Sequence, residues 1–190
     1  CYQAGGNGLV SCSSSGAQAL NSQQDGNRTT VNAMGYSLVP NASGGTYAKT
    51  ECVKDNVTGL IWEGKTASGT RTGNSTYTNY HSSYYGSQTQ MDAASNTYGY
   101  VASVNAIGLC GFSDWRLPTV DELQGIVDYA TSSPSINSTW FPNTLSSWYW
   151  ASSPYAGVSS SAWYVFFDDG DVGGYGRSYS HAVRLVRASQ

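Results

Sequence analysis

CGFSDWRLPTVDEL, Cys110 to Leu123, decides how this chain folds. Thr119 followed three residues later by Glu122 is a capping box: the hydroxyl accepts the orphan N–H at the third helical position while the carboxylate reaches back to the threonine N–H. Pro118 stands just ahead, where an extended residue is expected. Beyond it Val120, Leu123, Ile126, Val127 and Ala130 recur at helical spacing, which predicts a helix over about 120–130 with one apolar face. Nothing in the block calls for a ligand, so it reads as scaffold.

Upstream, residues 91–107 carry a helical pattern broken by Gly99, with Tyr100, Val101, Val104 and Ile107 as its stripe, and predict a helix over 98–107. CVKDNVTGLIWE, 52–63, sets Val57, Leu60, Ile61 and Trp62 around two turn signals and reads as a hairpin entering the core. The polar, Tyr-rich stretch 64–90 has no period and reads as a long surface excursion, a kind of loop that is commonly functional. Downstream come three strand-like runs, Trp148 to Ser152, Ala162 to Asp168 and Ala182 to Arg187. GDVGGYG, 170–176, is too glycine-rich for a plain strand and suggests a loop or a bulged, twisted edge.

With 190 residues the chain suits one domain, 51–190, behind an irregular N-terminal extension, 1–50, of short strands and turns. Only 11% of residues are charged while 13% are aromatic, which suits a β-rich, loop-rich extracellular protein. A net charge of -3 supplies no basic face for nucleic acid. No run approaches the roughly 18 to 20 apolar residues of a membrane span; any leader or anchor is expected outside the chain or removed. Four cysteines in this setting point to two disulfides; of three possible pairings, Cys1–Cys12 and Cys52–Cys110 are favoured. Their spacings, with only His81 and His181 beside them, do not make a zinc site.

Five segments in order, VTGLIWE (57–63), CGFSDWRLPTVDEL (110–123), WYWASS (148–153), AWYVFF (162–167) and VRLVR (183–187), resemble the DUF1566 family, that of the C-terminal domain of the Legionella collagen-like adhesin. The resemblance covers about residues 50–188. It implies an α+β, C-type-lectin-like fold with two helices, a twisted antiparallel sheet and long disulfide-tied loops. It also implies a trimeric surface adhesin that binds sulfated glycans, from which this chain departs in charge: nine Lys and Arg are scattered through an acidic sequence. The same fold serves variable proteins of diversity-generating retroelements, whose variable positions would fall at Asp168 to His181. Formylglycine-generating enzymes share it too, but their chemistry needs reactive cysteines. Here the cysteines look committed to disulfides and no activated serine is framed, so no enzyme is expected.

Aromatic residues carry the candidate site. Tyr77, Tyr80, Tyr84 and Tyr85 in the excursion, with Tyr155, Tyr175 and Tyr179 near the C-terminal loops, offer flat apolar faces with polar tips. Arg177, His181, Asp169 and Asp171 lie among them as ligand-binding residues. Asp168, Asp169 and Asp171 around Gly170 form an acidic turn that could hold calcium, without the spacing of an EF-hand. Trp62, Trp115, Trp150 and Trp163 sit among apolar neighbours as core. Arg116, Arg184 and Arg187 are expected in salt bridges, with Asp114 or Glu122 as partners. Five sequons, at Asn27, Asn41, Asn56, Asn74 and Asn137, are unremarkable in so Asn/Ser/Thr-rich a chain. The expectation is a secreted or surface-displayed bacterial adhesin recognising a glycan or host protein; the alternative is a structural or decorating subunit of an extracellular, pilus-like filament.

Overall fold

The computed structural model of the chain describes residues 34–189, nearly all within one compact unit, Tyr36–Gln190. The expected Cys1–Cys12 bond lies outside the described residues. Strands β2 (Cys52–Asp55) and β3 (Leu60–Glu63) form the expected hairpin, with Cys52 opposite Glu63 and Val53 opposite Trp62. Asp55 builds its turn: Oδ1 accepts from the Val57 N–H at 2.9 Å and Oδ2 from the Thr58 hydroxyl at 2.6 Å. Val57 therefore rides on the turn, 54% exposed, instead of entering the core. Strand β1 (Tyr36–Leu38) pairs with β2, so residues 36–50 belong to the compact unit. Tyr36 is fastened there by an edge-on contact with Phe141 at 5.0 Å.

Strand β7 (Val186–Ala188) closes this sheet in the order β1-β2-β3-β7, antiparallel throughout. Apolar side chains pack on both of its faces. Cys52 and Ile61 join Tyr100, Val104, Leu109, Trp115 and Trp150; Val53 and Trp62 join Leu123, Ile126, Phe141, Tyr149 and Val165. A strand covered on both sides has no solvent face to alternate toward, which is why LIWE is nearly all apolar. Its last residue, Glu63, is buried as well and needs partners.

Helix α1 (Gln88–Asp92) is a short capped turn in the excursion, and α2 (Thr97–Ala106) falls within a residue of its expected bounds. Gly99 does not break α2; a Cβ there would stand 2.1 Å from the Ala93 carbonyl oxygen, so only glycine fits the close approach. Helix α3 (Val120–Gln124) begins at the predicted capping box, with the Glu122 N–H on Thr119 Oγ1 at 3.2 Å and the Thr119 N–H on Glu122 Oε2 at 2.8 Å. It ends at Gly125, well short of 130. The expected length is wrong because Gly125 and β-branched Ile126 and Val127 are poor helix formers; the chain turns there, and both apolar side chains enter the core.

Cys52 and Cys110 form the expected disulfide, joining β2 to a 3₁₀ turn at Leu109–Gly111. Arg116 grips Glu122 through both terminal nitrogens, at 2.8 and 2.6 Å, and Arg187 Nε meets Asp114 at 2.6 Å. Each guanidinium holds its carboxyl below the usual carboxylate range, chiefly by hydrogen bonding. Arg184 differs from expectation: fully buried, it donates to the Glu63 carbonyl at 2.6 Å and to the Thr144 hydroxyl at 2.7 Å, and among the described residues no carboxylate lies within ion-pair distance.

The second sheet contains β4 (Trp148–Pro154), β5 (Ser161–Phe166) and β6 (Asp171–Gly176), antiparallel, in that order. The glycine-rich run is thus an edge strand, and it is unbulged, in register with β5 from Ser161–Gly176 to Phe166–Asp171. Isolated bridges from Tyr149 to Ala182 and from Tyr77 to His181 carry the pairing past β4. The fold is mixed α+β, two antiparallel sheets with few and short helices. Among the described residues no helix is long and apolar enough to cross a membrane.

Candidate functional site

The face of the second sheet bearing Trp148 holds a row of rings. In-register residues on antiparallel strands point to the same side, so Trp148 lies beside Phe166, Trp150 beside Tyr164, and Ala162 beside Tyr175. Trp148 and Phe166 stack at 5.0 Å. His181 lies along the far edge of β4, its ring 4.5 Å from that of Trp150 and 5.5 Å from that of Trp148. Small Ala162 leaves room for Tyr175 to reach over to His181 at 5.1 Å, and Tyr179 meets Tyr175 edge-on at 4.8 Å. Trp150 is the buried floor; Trp148, Tyr175 and Tyr179 remain 42%, 44% and 57% exposed.

Glycines in β6 make this arrangement possible. A Cβ on Gly173 would stand 2.6 Å from the Tyr164 hydroxyl, and one on Gly174 would stand 2.2 Å from the Tyr155 ring. Tyr164 therefore lies across the edge strand on the His181 side. Tyr155 packs against Trp163 at 4.7 Å, and strand alternation places Trp163 on the opposite face. Trp163 is half-buried, not core as expected; Trp62, Trp115 and Trp150 are core.

His181 is the polar centre of the row. Burial among rings pushes its imidazole down to about 4, so it is neutral near pH 7. Its Nε2 is buried and has no hydrogen-bond partner among the described residues. A buried polar atom without a partner costs about 1–3 kcal/mol, and the rings around it offer few groups to satisfy it.

The other predicted residues fall into three places. Tyr80 stacks on Tyr85 at 6.0 Å, and Tyr84 covers Arg177 at 5.1 Å, in a turn whose Tyr84 and Tyr85 are exposed. Arg177 is fully buried; Nε donates to the Ser159 carbonyl at 3.1 Å and Nη1 to the Asn79 carbonyl at 2.9 Å, and burial lowers its affinity for a proton. Tyr77 is core, its ring tilted against that of Tyr100 at 4.6 Å. Asp169 and Asp171 line an open depression of about 480 Å³ with Gln124, Tyr129, Gly170 and Val172. Asp168 turns away to accept from the Ser133 and Ser146 hydroxyls, which hold its carboxyl below the usual range. The three aspartates therefore do not converge, and among the described residues no group of His, Cys, Asp or Glu is placed to hold a metal ion.

Sequence reasoning misses Trp148, Tyr164 and Phe166 as members of the face. It also misses a buried network: Glu63 accepts from the Lys65 ammonium at 3.0 Å, from the Leu185 N–H at 3.0 Å and from the Tyr100 hydroxyl. Desolvation pulls Lys65 below the usual lysine range and pushes Tyr100 far up. The network ties β3 of the first sheet to helix α2 and is structural: Glu63 and Lys65 are 0% and 2% exposed.

Comparison with curated proteins returned no match. Residues 51–187, from the strand-β2 hairpin through the ring-bearing sheet to β7, match the family model described as the Lcl C-terminal domain, and the chain belongs to that family.

Proposed function

We propose that this protein is an extracellular, adhesin-type binding domain, without enzymatic activity, that engages its ligand through the aromatic face of β4–β6. The observation that carries it is the contiguous row Trp148, Phe166, Tyr164, Tyr175, Tyr179 and His181, three of whose rings are 42–57% exposed. Aromatic side chains with apolar bodies and polar tips are enriched where proteins recognise other molecules. Membership of the Lcl C-terminal domain family supports a surface-adhesin role, as the disulfide supports an oxidising compartment. We assign the scaffold to the C-type-lectin-like class, on the two antiparallel sheets, the helix α2 and the disulfide that ties the excursion.

The test is binding of the whole chain to glycan and surface-protein arrays, with and without added calcium, beside Trp148→Ala and Tyr175→Ala. Both positions are exposed enough for the variants to fold. Loss of the wild-type binding profile in both, at unchanged thermal stability, is expected. An unchanged profile removes the aromatic face from the binding role.

A further inference from the structure

From the chemistry of the groups around His181, we infer that the aromatic face takes a neutral, hydroxyl-rich sugar chain of one to three residues, whose C–H faces pack on the rings and one of whose hydroxyls donates to His181 Nε2. This rests on the binding role proposed above and narrows it to a ligand class.

Size comes first. Each large ring contributes about 150–250 Å² when fully exposed; at 42%, 44% and 57% exposure, Trp148, Tyr175 and Tyr179 together present on the order of 300 Å². A stable protein–protein interface takes about 800 Å² from each partner. The patch is too small for that and matches a few sugar rings.

Polarity comes next. Nε2 of His181 is a buried atom without a partner among the described residues, and its ring lies among Trp148, Trp150, Tyr164 and Tyr175. The ring is neutral near pH 7, and a neutral imidazole carries one nitrogen acceptor. In the tautomer that carries its proton on Nδ1, the unpartnered Nε2 is that acceptor. A hydroxyl that enters as the half-exposed Tyr175 ring swings aside satisfies it and relieves the cost of leaving it unpaired. A purely apolar ligand does neither.

Charge decides between neutral and anionic sugars. Asp171 sits directly across from Phe166 on the same face and is exposed, a fixed anion at its margin, with Asp169 two residues before it. The neighbouring cation, Arg177, is fully buried behind Tyr84, with Nε and Nη1 bound to the oxygens of Ser159 and Asn79. A sulfate or uronate laid on the rings would meet a like charge, while the neighbouring Arg177 is buried out of its reach. A neutral sugar meets two acceptors, Nε2 and the Asp171 carboxylate.

The experiment titrates the full chain with neutral oligosaccharides of hexoses and N-acetylhexosamines and, separately, with heparin, at low and at 0.5 M salt. Expected is saturable binding of at least one neutral oligosaccharide, changed less than twofold by salt, and weakened at least tenfold in Trp148→Ala and in Tyr179→Ala. In His181→Phe, which keeps the ring and removes the acceptor, a loss of at least fivefold is expected at an unchanged melting temperature. If that variant fails to fold, His181→Gln, which retains an acceptor, should bind within threefold of wild type. Heparin binding that falls steeply with salt, with no neutral sugar bound, overturns the ligand class; if the ring variants also lose heparin, the aromatic face survives as the site. No binding to either set, or neutral-sugar binding indifferent to all the variants, overturns the inference altogether.

Discussion

Replacing Cys52 and Cys110 together by alanine tests how the long excursion is held. The bond joins residues 58 apart in sequence, and cross-linking a loop of that length removes about 14 cal/mol/K of entropy from the unfolded chain, or about 4 kcal/mol at 25 °C. A domain of this size has about 5–15 kcal/mol in total, so the variant should be close to its folding limit. With a urea slope of about 2 kcal/mol/M, the midpoint should fall by roughly 2 M. The closed loop runs from β2 to the 3₁₀ turn and includes α2, whereas β4–β6 lie outside it. Ligand binding at low temperature should therefore change little while stability drops. A second arm uses the backbone: Cys110 has φ +53°, and an alanine there keeps the left-handed strain that a glycine does not. The Cys52→Ala, Cys110→Gly pair should thus recover about 0.5–1 kcal/mol over the double alanine. A midpoint shift below about 0.5 M, equivalent to about 1 kcal/mol, would refute the loop-closure account.

Glu63→Ala should cost about 3–5 kcal/mol in urea unfolding, because it strands the Lys65 charge in the core; Glu63→Leu with Lys65→Met should restore most of it, and a double variant as unstable as the single one would count against the pairing. His181 has a folded pKa of about 4 against an ordinary 6.5, so the unfolded state binds more protons between those values. Its contribution is complete above pH 6.5 and is lost as pH falls toward 4, on the order of 3 kcal/mol. His81 is shifted in the same direction, so the pH slope of unfolding in His181→Phe, compared with wild type, isolates the residue; equal slopes would contradict its burial as a neutral ring. Gly174→Ala, whose Cβ meets the Tyr155 ring at 2.2 Å, should lose about 1–3 kcal/mol by calorimetry. Gly173→Ala meets the hydroxyl end of Tyr164, at 2.6 Å from the oxygen and 2.8 Å from Cζ, a looser clash that should cost less; the reverse order would contradict this placement of the two rings.

The scaffold is legible where one physical signal acts alone. The capping box at Thr119 and Glu122 specifies a helix start through hydrogen bonds within four residues, and it stands as read. The Asp55 turn and the hairpin are equally local. The end of α3 is not, because Ile126 and Val127 are apolar at helical spacing yet are buried after the helix has stopped. Periodicity reports burial, and a turn can bury two consecutive side chains as well as a helix buries alternate ones. Glu63 escapes for a different reason: a glutamate at the end of a strand reads as a solvent-facing residue, and its partners Lys65, Tyr100 and Leu185 lie up to 122 positions away in the chain.

The ring-bearing face is less legible than the scaffold because its sequence has no polarity contrast. In WYW and AWYVFF the residues of both faces are aromatic or apolar, so a period of two cannot tell the Trp148, Tyr164, Phe166 side from the Tyr149, Val165, Phe167 side. Tyr175, Tyr179 and His181 can be suspected only because Gly and Ser surround them, and that same surrounding disguises β6 as a loop. The discriminating signal lies on the neighbouring strand. A glycine inside a strand marks a place where another group comes close to the backbone, and Gly173 and Gly174 are such places for Tyr164 and Tyr155. Consecutive residues of a strand face opposite ways, so two adjacent glycines beside an aromatic strand imply one ring laid over each face. With Tyr155 and Trp163 on one side, the rings on the other are left free to form a surface around His181.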